Sequence, residues 1–189
     1  MQAIWAISQS ILRNHSRKEI PYPTFDHCPQ CNHFVNLERH GYYQRNIPEE
    51  NSVWELDICR YLCPHCGRTV SLLPWFLLPF FQHSRSTILT ALREHFMGGI
   101  KTFISRQLLS FYEKRFNRNL NAIISSFRDK GFYEPLPGDI REKAIRLMGW
   151  LEYTSPSKSI EMIDQRSDHT PVNFMALSLY SRGVLSCKS

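Results

Sequence analysis

Two matched cysteine pairs, an alternating apolar pattern between them, and a change to helical periodicity after residue 84 together predict the fold class. They give a small β zinc ribbon followed by an all-α helical region with a helix-turn-helix-like module. The chain has 189 residues, of which 42% are hydrophobic and 13% aromatic. That is enough apolar matter for one medium domain or two small ones, and it argues against wholesale disorder.

The first observation is the strongest. Cys28-Pro-Gln-Cys31 and Cys63-Pro-His-Cys66 are matching knuckles. Zinc prefers a tetrahedron of soft thiolates, and each C-x-x-C turn presents two sulfurs to one ion. Cys28, Cys31, Cys63 and Cys66 are therefore the expected ligands of one structural zinc ion. Gly67 follows the last ligand and supplies the positive φ with which such a turn closes. Cys59, four residues before Cys63, reads as a buried thiol or, alternatively, a ligand, and Cys187 as a free thiol in a polar tail. His27, His33 and His65 flank the knuckles and read as surface, supporting or phosphate-contacting groups.

The elements follow in order. Residues 1–24 are mildly apolar at the start and read as an N-terminal helical arm. They lack the basic n-region and cleavage site of a signal peptide. Residues 25–70 form the ribbon: Gly41–Ile47 and Trp54–Ile58 are strands, joined by a turn through Ile47–Ser52. Residues 71–84 hold Ser71–Phe81, an 11-residue apolar run with Pro74 and Pro79. It is far short of the roughly 20 residues a membrane span requires. It reads as a proline-containing hydrophobic linker that clamps ribbon to helices. Residues 85–130 form the basic helix-turn-helix-like region. One helix is capped by Ser84 or Ser86 and stopped at Met97-Gly98-Gly99, and a second is capped by Ser105. Residues 131–189 form a C-terminal helical region, with a helix after Asp139 and short helices over 159–166 and 173–180.

Charge singles out one of these regions. The chain carries 23 Lys and Arg against 17 Asp and Glu, a net +6. Residues 1–84 and 131–189 are each balanced, whereas residues 85–130 hold nine basic and three acidic side chains. At 100° per residue, Leu108, Leu109, Tyr112, Phe116, Ile123 and Phe127 share one side of the second helix. Arg106, Gln107, Ser110, Lys114, Asn117, Arg118, Asn121 and Arg128 share the other. Arg, Lys, Gln and Asn are the side chains that hold phosphates and read base edges. The candidate nucleic-acid contacts are Lys101, Arg106, Gln107, Lys114, Arg115 and Arg118, with Arg85 and Arg68 beside them.

The run from Cys28-Pro-Gln-Cys31 through His40-Gly-Tyr-Tyr-Gln-Arg45 to Ile58-Cys-Arg-Tyr-Leu-Cys63-Pro-His-Cys66-Gly-Arg-Thr69 and Ser71-Leu-Leu-Pro74 resembles the zinc ribbon at the front of bacterial insertion-sequence transposases. It is also similar to small zinc-ribbon proteins carried by mobile elements. The resemblance spans about residues 25–130. It implies zinc at the four cysteines and contact with double-stranded DNA on Arg106–Arg118. It also implies work alongside a transposase or recombinase complex, in a bacterial cytoplasm at the nucleoid and away from membranes. Such transposases continue into a domain with three spaced carboxylates, and only 59 residues follow Lys130 here. No Walker loop, G-x-S-x-G or H-E-x-x-H occurs either. The expected function is therefore a non-catalytic accessory, targeting or regulatory factor of a mobile element. The alternative is an interaction adaptor that docks through the ribbon and an exposed Ser71–Phe81 patch.

Overall fold

The computed structural model describes residues 2–99, 102–153, 161–162 and 174–175. The chain divides into two compact units, Met1–Gln82 with Pro156–Gln165, and His83–Ser155 with Arg166–Ser189.

The first unit is built on a mixed five-stranded sheet in the order β2-β3-β4-β1-β5. Strand β2 (Glu38–Pro48) and strand β3 (Val53–Leu62) form the expected antiparallel hairpin, with Glu38 opposite Leu62 and Pro48 opposite Val53. The turn is closed by Glu49 N–H donating to the Ser52 carbonyl at 2.8 Å and Ser52 Oγ donating to the Glu49 carboxylate at 3.0 Å. The register slips between Arg39 and Gly41. Gly41 sits there at φ +133°, which a side chain rarely adopts, so glycine suits the bulge. Along β3, Leu56 and Ile58 are buried on one face and Cys59 and Tyr61 on the other. Pro48 falls on an edge strand, where no partner needs its missing N–H.

Two expectations are corrected here. The N-terminal arm is not purely helical. Gln2–Ala6 is strand β1, and only Gln9–Asn14 is helix (α1), capped by Ser8. β1 pairs in parallel with β4 (Thr69–Pro74), Gln2 opposite Ser71 and Ile4 opposite Leu73. A short apolar run has no period to separate strand from helix. A strand with a partner on each side and Ala3, Ile4 and Trp5 buried resolves it as sheet. The linker over 71–84 is corrected likewise, because its first four residues complete β4. The remainder is largely folded in rather than displayed: Phe76, Leu77, Leu78 and Phe81 are buried, and Phe80 is its one exposed apolar side chain. Buried loop carbonyls need donors. The half-buried Arg45 supplies them, donating through Nη2 to the Leu78 carbonyl at 3.0 Å and to that of Phe81.

Helix α1 and the chain after it cover the hairpin. Arg13 stacks over Trp54 at 4.0 Å and pairs with Glu49. Arg17 lies over Tyr42 and pairs with Asp57 at 2.6 Å. Tyr61 Oη donates to the Pro23 carbonyl at 2.6 Å. Glu161–Met162 adds β5 against Trp5 and Ala6, where a short helix over 159–166 was expected. The rest of that span, and all of 173–180 except Phe174 and Met175, lies outside the described residues.

The second unit is helical. Helix α2 (Arg85–Phe96) is capped by Ser84 Oγ, which accepts from Thr87 N–H at 3.2 Å, and it ends at Met97 before Gly98 at φ +81°. Helix α3 (Arg106–Asp129) is capped by Ser105 and runs 24 residues, about 36 Å at 1.5 Å per residue. Helix α4 (Ile140–Tyr153) starts where Asp139 Oδ1 accepts from Arg141 N–H and Glu142 N–H, each at 2.9 Å. The three helices pack on one another. Leu109, Tyr112, Phe116, Leu120, Ile123 and Phe127 of α3 are buried, and Phe127 meets Trp150 of α4 edge to face at 5.3 Å.

Candidate metal centre and nucleic-acid face

The two knuckles repeat one backbone design. Asn32 N–H donates to the Cys28 carbonyl at 2.7 Å, and Cys28 N–H to the His33 carbonyl at 2.9 Å. In the second, Gly67 N–H donates to the Cys63 carbonyl at 2.9 Å, and Cys63 N–H to the Arg68 carbonyl at 3.0 Å. The residue after the second cysteine is left-handed in both, Asn32 at φ +59° and Gly67 at φ +67°. Asparagine is among the few side chains that tolerate this region, so Asn32 performs the same turn as Gly67. Only the glycine stands out in the sequence.

The folds of the two turns bring four sulfurs together. Cys28, Cys31, Cys63 and Cys66 Sγ all lie within 4.8 Å of one another. Cys28 Sγ is 3.9 Å from Cys66 Sγ, and Cys31 Sγ is 3.9 Å from Cys63 Sγ. These separations exclude disulfides, whose sulfurs sit about 2.05 Å apart. They match the edge of a tetrahedron with metal–sulfur bonds of about 2.3 Å, roughly 3.8 Å. Cys28 and Cys63 are fully buried. Burial pushes the Cys28 thiol up to about 12. At Cys63 burial acts the same way, but the Cys66 N–H and the sulfurs of Cys28 and Cys66 outweigh it and hold the thiol down at about 7. Four thiolates this close repel one another, and a divalent cation among them removes that cost. The donor set therefore fits a metal ion. Cys59, also buried, stands outside the cluster, and Cys187 lies outside the described residues.

The charged side chains sort by what they touch. Arg106, Gln107, Lys114, Arg118, Asn121 and Arg128 are exposed along one side of α3. Among the described residues, none of the four cations in this set is held in an ion pair. Arg68 is also exposed, beside the second knuckle.

Two expected contacts are corrected. Arg85 is 1% exposed; its Nη2 donates to the Leu151 carbonyl at 2.5 Å, in the last turn of α4, and it faces the Phe174 ring. Burial lowers its pKa to about 10, with the charge of Glu152 opposing. It caps a helix end rather than meeting a ligand. Arg115 is half-buried, and its Nε donates to the Met175 carbonyl at 2.8 Å. Arg93, another contributor to the basic segment, pairs with Glu152. Lys101 lies outside the described residues.

Residues 28–105 match a family model described as a domain of unknown function, DUF6431. The match opens on the first knuckle cysteine and closes on the N-cap of α3, so it takes in all four clustered cysteines and leaves out the exposed face of α3. No curated protein and no solved structure matches the chain. No helix among the described residues is long and apolar enough to cross a membrane.

Proposed function

We propose that this protein binds double-stranded DNA through the exposed side of α3, and that a zinc ion in the four-cysteine cluster holds the first unit together. In this reading the hairpin and its knuckles are a zinc ribbon enlarged by β4, β1 and β5. Helices α2 and α3 are a helix-turn-helix variant with an extended second helix. The observation that carries it is the distribution of unpaired charge. Arg13, Arg17, Arg93 and Arg146 pair with carboxylates and Arg45, Arg85 and Arg115 with carbonyls, whereas Arg106, Lys114, Arg118 and Arg128 point from one helix side to solvent. Such a concentrated cationic strip favours a polyanion. Gln107 and Asn121 among the cations add groups able to pair with base edges.

The four cations are spaced about 12, 6 and 15 Å along the axis. A strip near 33 Å long exceeds the roughly 12 Å width of a major groove, so it reaches phosphates on both sides of one. Combined with the resemblance to mobile-element zinc-ribbon proteins, this supports a non-catalytic accessory or targeting factor that brings a transposase or recombinase to DNA. The adaptor reading is weakened by the burial of the Ser71–Phe81 run it would use.

Affinity for a random duplex measured against salt tests the reading. Four phosphate contacts give a slope of log K on log salt near −3.6, and a slope corresponding to fewer than about two contacts overturns it. Lys114→Glu with Arg118→Glu should weaken duplex binding by about a hundredfold or more at low salt, with the helical circular dichroism unchanged.

A further inference from the structure

The knuckles display rings that the α3 reading does not use. His33 and His65 each lie two residues beyond a knuckle cysteine, Cys31 and Cys63. Their imidazoles stack at 3.8 Å with 13° between planes. His65 Nδ1 is 3.7 Å from Cys31 Sγ, which ties the pair to the cluster. Next to His33 stands Phe34, 84% exposed, more than any other large apolar side chain among the described residues. Its backbone is anchored by an antiparallel bridge to His27, whose ring lies 6.4 Å away.

We propose that His33, His65 and Phe34 form a stacking platform for unpaired nucleobases, making the knuckle end of the first unit a binding site for single-stranded nucleic acid. This rests on the reading of the chain as a nucleic-acid-binding protein but uses a different surface. Three arguments carry it. First, the rings are exposed yet their backbone is held, His33 by the Cys28 N–H donating to its carbonyl, Phe34 by the bridge to His27 and His65 within the closed second turn, so a ligand meets them largely ordered and little conformational entropy is lost. Second, their chemistry suits bases better than phosphates. A divalent ion held by four thiolates carries a net charge of −2, which repels phosphate but not the neutral π-face of a base. Arg68, exposed where the second knuckle closes, and Arg39, exposed at the bulge, are cations on the same unit for the flanking phosphates. Third, duplex DNA hides its base faces in its own stack, so the strand that can use the platform is unpaired. Stacking on an aromatic side chain tightens binding of a base by about tenfold and is indifferent to sequence.

The test uses the full metal-loaded chain and three labelled probes: an oligothymidylate of about 15 nucleotides, an abasic oligomer of equal length, and a duplex. Oligothymidylate should bind at least about tenfold more tightly than the abasic strand, which has the phosphates without the bases. Phe34→Ala should weaken oligothymidylate binding by about tenfold and leave the duplex within about twofold, and Phe34→Trp should restore it. Zinc content, measured on each variant, confirms that the cluster is intact. His65→Ala, with zinc retained, should give an intermediate loss. Equal binding of the abasic strand, or a Phe34→Ala protein that binds oligothymidylate as before, overturns the proposal; the second result would assign the rings to a protein partner instead. Lys114→Glu with Arg118→Glu separates the two readings. Loss of duplex binding with Phe34-dependent oligothymidylate binding preserved supports both surfaces. Absence of duplex affinity in the unaltered protein overturns the α3 reading and leaves this one standing.

Discussion

Both units build some of their arginines into the structure, but among the described residues α3 lines four exposed cations along one side. In the first, Arg13, Arg17 and Arg45 are part of the structure: two lie over aromatic rings and pair with carboxylates, and one satisfies the carbonyls of a buried loop. In the second, Arg85 and Arg115 do similar work, but Arg106, Lys114, Arg118 and Arg128 on α3 have no such task among the described residues. Net charge alone does not distinguish these cases. A cation that cements its own fold contributes to the total yet offers nothing to a partner. The difference also reflects how each unit is held together. Both units bury an apolar core, but the sheet adds a cluster of four sulfurs and a skin of arginine–aromatic contacts to its packing.

The largest expected effect breaks that comparison at the sulfurs. A structural zinc ion contributes about 10–16 kcal/mol of apparent binding energy in small domains. Cys28→Ser or Cys63→Ser should therefore abolish metal binding and unfold the knuckle end of the first unit, while the helical signal of α2, α3 and α4 survives. Zinc quantification and hydrogen exchange resolved along the chain would show protection lost over residues 25–74 and kept over 106–129. Uniform loss across both would mean the helices depend on the metal as well.

Arg85 comes next. Arg85→Met keeps the length of the side chain but removes the hydrogen bond from Arg85 Nη2 to the Leu151 carbonyl. A lost hydrogen bond to a charged group in a buried place costs about 2–3 kcal/mol, read as a lower denaturant midpoint. Duplex affinity should be unchanged once the protein is folded. A variant as stable as the parent but weaker on DNA would return Arg85 to the binding face.

How much of this was readable beforehand depends on the range of the signal. The cysteine cluster, the β2–β3 hairpin and the caps at Ser84, Ser105 and Asp139 are local, set by spacing, period 2 or one side-chain oxygen, and all were legible. The parallel pairing of β1 with β4 was not, because Gln2 meets Ser71 across most of a unit and nothing near either residue announces the partner. Ser71–Pro74 therefore looked like a linker. Arg85 misled for a related reason. Its position at the start of a basic segment suggested a surface, while the group that buries it, at the end of α4, is far along the chain. The solvent side of α3 was legible because helical periodicity divides the residues before any partner is known, although Arg115 at its margin was taken up by the Met175 carbonyl.

A smaller effect sharpens the account of the sheet. At Gly41 a Cβ would meet nothing within 4 Å, so Gly41→Ala tests backbone strain alone at φ +133°. The cost should be about 1–2 kcal/mol, with zinc content unchanged. A neutral outcome would mean that the bulge relaxes without loss.

The smallest effect separates the units by acid. His83 is 6% exposed, with Nδ1 2.9 Å from Tyr112 Oη and the Phe103 ring at 5.5 Å. Burial lowers its pKa below the ordinary 6.5. The unfolded chain therefore takes up the proton first as pH falls, and by linkage the folded state loses stability through that window. The contribution is fully present above about pH 6.5, declines as pH drops below it, and levels off once pH is below the folded-state value. With zinc in the cluster, as proposed, protonation of the thiolates would also release metal at acid pH, so a raw pH profile would mix the two units. His83→Gln separates them. Denaturant unfolding followed by the helical signal should lose its slope just below pH 6.5 in the variant, while the pH at which zinc is released stays where it was. If the slope persists without His83, the acid sensitivity of the helices arises from other titrating groups and His83 is not its source.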